Sequence, residues 1–219
     1  MAVKYSRSGK KLWKKTYKGP AGLGAYAFAA VARPGGGVYV CGGAISAATG
    51  DDGLVMSYTS KGARRVFALD TGPGGTTQQT LGDLAVTSTG QVVAVGSSIS
   101  GGNQDCHAVW YSTDGTIVGQ SSLPGAWEDE FTAVATDSFG GMYLTGTYHT
   151  AVNRTAIVTI RGSILTGGGG WASLWTPTFV SEDNRANAIA VRGATACVVG
   201  ESNEGPAHGL DQVVLGYVY

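Results

Sequence analysis

GVYVCGG (37–43), QVVAVGS (91–97), GMYLTGT (141–147) and TACVVGE (195–201) are four copies of one short strand pattern. They align on Gly42, Gly96, Gly146 and Gly200, which lie 54, 50 and 54 residues apart. A second series ends in an aromatic or β-branched residue and has nearly the same period: Tyr5, Tyr58, Tyr111, Ile160 and Tyr217. A repeat of this length predicts supersecondary units that are stacked or arranged around an axis.

The composition favours an all-β fold. The 219 residues include 36 glycines, and only 14% are charged, so turns are frequent and solvated helix faces are few. Apolar alternation and short β-branched runs recur between Gly, Ser, Asn and Asp. One unit shows four strands in YAFAAVAR (26–33), GVYVCGG (37–43), GLVMSY (53–58) and RRVFALD (64–70). Four antiparallel strands per repeat of this length predict the blades of a β-propeller.

We therefore predict one β-propeller domain over residues 1–219, divided by the repeat. A strand pair occupies 1–18, and repeats occupy about 25–75, 81–127 and 130–180. Closing strands occupy about 185–219. The chain has five strands of the third kind and four of each other kind, so one strand is surplus.

The repeat resembles the bacterial β-propeller repeats known as SBBP repeats. AVATDSFGGMYLTGT (133–147), DCHAVWYSTDG (105–115) and VKYSRSGKKLW (3–13) carry the resemblance most closely. It extends over essentially the whole chain, but its motifs are structural and imply little about activity. The fourth unit departs from the pattern, with Arg154 where other units have aspartate. Relatives of this repeat are often extracellular or cell-surface proteins, which the resemblance implies as one location.

The ends of the chain decide the number of blades. We predict four blades, with residues 11–17 adding the outermost strand to the three strands at the C-terminus, because a closed ring hides bare edges. Either 2–6 or 213–219 is then surplus. Five blades, a piece of a larger propeller and a strand-exchanging oligomer are the alternatives, and a monomer and an oligomer both stay open.

Charge also predicts that the ends meet. Seven of the 15 basic residues lie within the first 18 positions, whereas none follows Arg192, and Glu201, Glu204 and Asp211 lie in that last segment. Opposite charges on adjacent strands favour pairing. A nucleic-acid surface is the alternative reading of the lysines, but net charge is zero and no aromatic platform accompanies them. We expect no nucleic-acid partner.

Acidic residues are the best-placed candidates for a ligand site. Asp83, the cluster Glu128–Asp129–Glu130 and Asp183 precede first strands in the sequence. First strands line the channel of a propeller, so these carboxylates are expected to ring one mouth and attract cations or basic ligands. Solvated entry loops would explain them equally well.

Aromatic residues and histidines offer weaker candidates. Trp110 and Trp127 are possible stacking platforms for sugars, whereas Trp13, Trp171 and Trp175 are expected to pack between blades. The three histidines, His107, His149 and His208, fall in or beside loops between second and third strands. We interpret them as surface loop residues and predict no metal site.

No catalytic signature is recognisable: the sequence has no G-x-S-x-G elbow, phosphate loop or dinucleotide fingerprint. No cofactor, signal peptide or membrane-spanning segment is expected. The prediction is a rigid, non-catalytic binding or scaffolding module with a protein or glycan ligand. One alternative is a carbohydrate-binding lectin. Another is a propeller hydrolase or lyase with acidic or histidine residues at the channel mouth.

Overall fold

A computed structural model describes residues 1–33, 35–72, 78–152, 154–163, 170–177, 183–203 and 209–218. These residues form β-strands and one short 3-10 turn, Pro20–Gly22, which confirms the all-β prediction. Within these ranges, no helix is long and apolar enough to cross a membrane.

The strands form five antiparallel sheets, named A to E in chain order. Sheet A contains β1 (Ala2–Tyr5) and β2 (Lys11–Lys15). Sheet B contains β3 (Ala25–Ala32), β4 (Gly37–Ser46), β5 (Gly50–Thr59) and β6 (Arg64–Val66). Sheet C contains β7 (Gln78–Val86), β8 (Val92–Ser100), β9 (Asn103–Tyr111) and β10 (Ile117–Leu123). Sheet D contains β11 (Glu130–Thr136), β12 (Gly141–Ala151), β13 (Arg154–Ser163) and β14 (Trp171–Trp175). Sheet E contains β15 (Asn184–Arg192), β16 (Thr195–Asn203) and β17 (Leu210–Val218).

Successive sheets pack face to face, with apolar side chains between them. The first strands of sheets C, D and E each contact the sheet before them, so that β7 lies against sheet B, β11 against sheet C and β15 against sheet D. Hydrogen bonds join neighbouring first strands directly. The Thr136 hydroxyl donates to the Val86 carbonyl at 2.9 Å, and the Thr132 hydroxyl donates to the Ala186 carbonyl at 2.7 Å. The starts of the first strands therefore come together on one side of the array.

Each landmark glycine lies opposite a β-bulge in the first strand of its sheet. The bulges fall at Ala27/Ala29, Leu81/Asp83, Phe131/Ala133 and Ala186/Ala188. A Cβ atom on Gly146 would lie 2.0 Å from the carbonyl oxygen of Glu130, and one on Gly96 would lie 1.9 Å from that of Thr80. No side chain fits at these distances, because backbone is on both sides of the contact. This crowding explains why all four copies of the pattern carry glycine.

Aromatic pairs fill three of the spaces between sheets. Trp13 stacks on Tyr58 with ring centroids 5.6 Å apart, and Trp171 lies 4.9 Å from Tyr217. The Phe67 and Tyr111 rings are tilted by 55° to each other, with centroids 5.6 Å apart. The predicted packing role of Trp13 and Trp171 is confirmed, and Trp175 also packs in the D–E space.

The tyrosines of these pairs belong to the second sequence series, which holds at Tyr58, Tyr111 and Tyr217. In sheet D the equivalent position is Gly162, and not Ile160, which lies two residues earlier in the strand. The period is therefore real, but one of its predicted members is displaced by two residues.

The predicted closure into four blades is not observed. Among the described strands, β2 pairs only with β1, sheet E has three strands, and no strand joins sheet A to sheet E. The Lys4 ammonium and the Trp13 indole N–H instead both donate to the Ser60 carbonyl at 3.1 Å. These bonds and the Trp13–Tyr58 stacking hold the N-terminal pair against sheet B. The expected pairing of its lysines with acidic residues of sheet E is therefore wrong within this structure.

Candidate binding cleft

A cleft with a volume of about 490 Å³ opens where the first strands of sheets D and E begin. Its described walls come from β9, β11, β12, β13, β15, β16 and β17 and from the residues just before β11 and β15. Carboxyl, amide, hydroxyl and imidazole groups dominate the lining: Gln104, Glu128, Glu130, Thr147, His149, Thr155, Asp183, Asn184, Arg185, Glu201 and Leu210. The opposite ends of the first strands enclose a mainly apolar recess, so the polar chemistry is concentrated at one side.

One structural position recurs on this side in sheets B to E, and two of its four occupants line the cleft. It is the residue just before the landmark bulge, and its occupants in sheets B to E are Tyr26, Thr80, Glu130 and Arg185. We call these four residues the rim position. The Tyr26 hydroxyl lies 3.5 Å from the Thr80 hydroxyl. Burial raises the pKa of Glu130, and the positive charge of Arg185 opposes that shift.

Asp129 and His149 form a hydrogen-bonded pair beside the rim. The Asp129 carboxylate is fully buried, and its Oδ1 accepts the backbone N–H of His149 at 2.6 Å and lies 3.1 Å from Nδ1 of the imidazole. Burial raises the pKa of Asp129, while the hydrogen bonds from His149 lower it in part. Because Nδ1 of His149 faces Asp129, Nε2 is the ring nitrogen that remains to form a hydrogen bond with a ligand.

The segment before β11 is fixed onto its neighbours, which places Trp127 at the edge of the cleft. The Gly125 N–H donates to Asp105 Oδ1 at 3.0 Å, and the Tyr148 hydroxyl donates to the Pro124 carbonyl at 3.1 Å. The Trp127 ring centroid lies 6.4 Å from that of His149, and 36% of the tryptophan is exposed. An aromatic surface therefore stands next to a polar wall.

Asn184 forms a rigid part of the floor. Its backbone N–H donates to the Thr155 hydroxyl and its side-chain amide donates to the Thr155 carbonyl, both at 2.6 Å. Its amide oxygen accepts the Ser202 hydroxyl at 2.6 Å. Because the Asn184 side chain is held by these bonds between sheets D and E, it fixes the spacing of the cleft walls.

The structure brings some of the predicted site residues together and separates others. Glu130 and Asp183 line the cleft, and Trp127 lies beside His149 at its edge. Asp83 lies within β7 and not before it, and its Oδ2 accepts the Val134 N–H at 2.9 Å. Asp83 thus links two first strands. Trp110 is partly buried against the C–D core, with its ring over Gly119, so it offers no stacking platform here.

The interpretation of the histidines as surface residues is wrong for His107, which is fully buried. Its Nε2 lies 2.7 Å from Asp70 Oδ2, and its Nδ1 lies 3.0 Å from the Ser122 hydroxyl. Gln120 donates to the other oxygen of Asp70 at 2.8 Å. This network joins sheets B and C. His208 lies outside the described residues.

Sequence reasoning missed Arg185, Glu201 and the Asp129–His149 pair as parts of one site. The repeat itself could have identified Arg185, since it aligns with Glu130 in the next unit. Within the described ranges, no group of three or more His, Cys, Asp or Glu residues is placed to hold a metal ion.

The sequence matches no protein-family model and no curated protein. The structure is similar to the crystal structure of a protein of unknown function from Dyadobacter fermentans, with a TM-score of 0.64 and 12% sequence identity. That similarity covers 99% of this chain and 63% of the other, so the chain spans less than two thirds of that protein. It shows a shared fold.

A second similar structure is an α-L-arabinofuranosidase from Clostridium thermocellum, with a TM-score of 0.45 and 15% identity over 82% of this chain and 61% of the other. The prediction that the chain is not an enzyme is withdrawn, because the similar structures neither show an enzymatic role for this chain nor exclude one. The TM-score is too low for the likeness to indicate an activity for this chain.

Proposed function

We propose that the chain belongs to a β-propeller and that its acidic cleft binds a carbohydrate. The propeller proposal is supported by four-stranded meanders packed in series with their first strands adjacent. In a propeller the starts of these strands lie at one mouth of the channel, and the cleft opens at the starts of the first strands of sheets D and E.

One observation carries the choice of ligand class, namely that Trp127 stands beside a cleft lined with planar polar groups. Sugars present hydroxyls at their edges and an apolar face of C–H groups. Amides and carboxylates such as Gln104 and Glu201 can hydrogen-bond the hydroxyls, while the indole ring covers the apolar face. A few convergent polar groups beside an aromatic surface are typical of ligand sites.

The charge of the cleft lining further limits the classes of sugar that it can bind. Among the described residues of the lining, four carboxylates, Glu128, Glu130, Asp183 and Glu201, face one arginine, Arg185. Like charges across an interface oppose binding. The cleft therefore favours neutral sugars and amino sugars over uronic acids and sulfated sugars.

The test is a glycan array that includes neutral, amino and anionic sugars, followed by calorimetric titration of the best binder. Trp127→Ala is expected to weaken binding by about two- to tenfold, since one aromatic contact is worth about 0.5–1.5 kcal/mol. Phe139→Ala is the matched control, because Phe139 is 84% exposed and lies in the β11–β12 turn, away from the cleft. Absence of any bound glycan, or equal losses in both variants, would refute the proposal.

The Asp129–His149 pair favours a second candidate, hydrolysis of such a ligand. An imidazole oriented by a buried carboxylate, next to a carboxyl group of raised pKa, is an arrangement suited to proton transfer. Release of nitrophenol from a panel of aryl glycosides tests this candidate. His149→Asn should abolish the release, whereas the loss of one hydrogen bond should weaken glycan binding by no more than about tenfold. No release from any substrate by the unaltered protein would exclude hydrolysis of this substrate panel.

A further inference from the structure

The two ends of the sheet series differ from the sheets between them. In sheets B, C and D the third strand pairs with a fourth strand, whereas no described strand pairs with the outer edge of β17. Sheet A shows the complementary deficiency. Trp13 of β2 packs on Tyr58 as Trp171 of β14 packs on Tyr217, so β2 is equivalent to a fourth strand and β1 to a third. Among the described strands, sheet A therefore has none of the first or second kind.

Sheet E leaves uncovered the face that other sheets bury. Val214 pairs with Val199 next to the landmark Gly200, and its equivalents in sheets B, C and D are Val55, Ala108 and Thr159. Those three residues are 0%, 1% and 0% exposed because the next sheet covers them, whereas Val214 is 62% exposed. This comparison within one chain identifies the outer face of sheet E as a packing surface.

An apolar surface is also open at the other end. A recess of about 250 Å³ lies beside β1, and its lining includes Phe28, Ala30 and Val38 of sheet B together with Ala2 and Val3 of β1. Phe28 is 62% exposed. The recess occupies the place where first and second strands of sheet A would lie.

Charge is complementary between β2 at one end and the outer strands β16 and β17 at the other, while the two arginines of sheet E, Arg185 and Arg192, lie on β15. Lys11, Lys14 and Lys15 are exposed on β2, and no acidic residue precedes Asp51. The last segment carries Glu201 and Asp211 without a basic residue after Arg192. Within the described structure these charges do not meet.

We propose that the outer face of sheet E docks onto sheets A and B of a second copy of this chain, head to tail. The Val199–Val214 face would cover the Phe28 recess, and the carboxylates of β16 and β17, Glu201 and Asp211, would lie near the lysines of β2. This interface is heterologous, so two copies close into a ring when each contributes both ends. The proposal is independent of the carbohydrate site and does not require it.

The first test is the molar mass of the 219-residue chain by light scattering over a range of protein concentrations. We expect a dimer that dissociates on dilution and more readily at high salt. Val214→Lys should raise the dissociation constant by about tenfold or more, since a charge would be buried against apolar atoms. Val118→Lys is the matched control, because Val118 is 50% exposed on β10 in the middle of the series. Circular dichroism checks that both variants fold.

A mixing experiment tests the head-to-tail arrangement. Phe28→Lys damages the other half of the same interface, so each variant alone should be largely monomeric. A mixture of Val214→Lys and Phe28→Lys should associate, because one copy offers an intact head and the other an intact tail. A monomeric unaltered chain would overturn the proposal, as would a dimer unaffected by either substitution. A mixture that stays monomeric would overturn the head-to-tail geometry.

Discussion

Replacement of the landmark Gly146 by alanine tests whether the bulge contact fixes the repeat. The new Cβ would lie 2.0 Å from the Glu130 carbonyl oxygen and 2.7 Å from the Phe131 Cα atom. Relief of these contacts must displace backbone by about 1 Å or more, since ordinary contacts begin near 3.4 Å. Overpacking of this kind costs about 1–3 kcal/mol when side chains can yield. Here only backbone is available, so we expect a loss of about 3 kcal/mol or more in the free energy of unfolding.

Gly162→Ala is the control in the same sheet, because its Cβ would meet only the flexible Met142 Cε atom, at 3.7 Å. Glycine within a strand costs about 0.5–1 kcal/mol relative to alanine, so this variant should be neutral or slightly more stable. Urea unfolding gives both free energies, and the Gly146→Ala loss corresponds to a decrease in Tm of about 6–12 °C. Equal stability of the two variants would show that the bulge does not require glycine.

Three further predictions concern the buried polar groups. His107→Ala should lower the free energy of unfolding by about 3 kcal/mol, because it leaves Asp70 without its imidazole partner. Ser122→Ala should lower it by only about 1 kcal/mol. Similar losses in the two variants would contradict a central role of the His107–Asp70 pair. Burial raises the pKa of Asp137, but N–H donors of Gly141 and Phe139 and the Tyr143 hydroxyl outweigh this effect and lower it. The ionised Asp137 carboxylate therefore stabilises the fold above the ordinary aspartate pKa, and this stabilisation is lost as pH falls. Asp137→Asn should lower the free energy of unfolding near pH 7 and leave it nearly unchanged in acid. A cost that does not depend on pH in urea titrations would argue against this. Burial raises the pKa of Glu130, so ionisation of its carboxyl group destabilises the folded state as pH rises. Glu130→Gln should therefore raise Tm near pH 7 and leave it unchanged in acid. The reverse pH dependence would contradict the raised pKa of Glu130.

The repeat was predictable because glycine positions report backbone crowding directly. The backbone contact opposite the bulge leaves no room for a side chain at four positions: Gly42, Gly96, Gly146 and Gly200. The repeat is therefore visible in the sequence even though most other positions differ between units. The arrangement of the ends was not predictable by counting strands and charges. Strand counts do not tell which neighbour a strand packs on, and the stacking of Trp13 on Tyr58 decides this in favour of sheet B.

The cleft was predictable in part, since Glu130 and Asp183 were identified from their places before first strands. Asp83 was misplaced because an acidic residue near the start of a strand looks the same whether it faces solvent or, as here, accepts an N–H from the adjacent sheet. His107 was misread for a related reason. Its partner Asp70 is 37 residues away in the chain, and local pattern does not reveal a bond across two sheets.

The rim position has a consequence for how such a protein acquires new specificity. The glycine opposite is invariant among the four units, yet the rim carries a phenol, a hydroxyl, a carboxylate and a guanidinium in Tyr26, Thr80, Glu130 and Arg185. The bulge contact requires glycine at the landmark position, because no side chain fits there. It involves only the main chain of the rim residue. Selection can therefore change the rim side chain of each unit separately without disturbing the backbone that positions it.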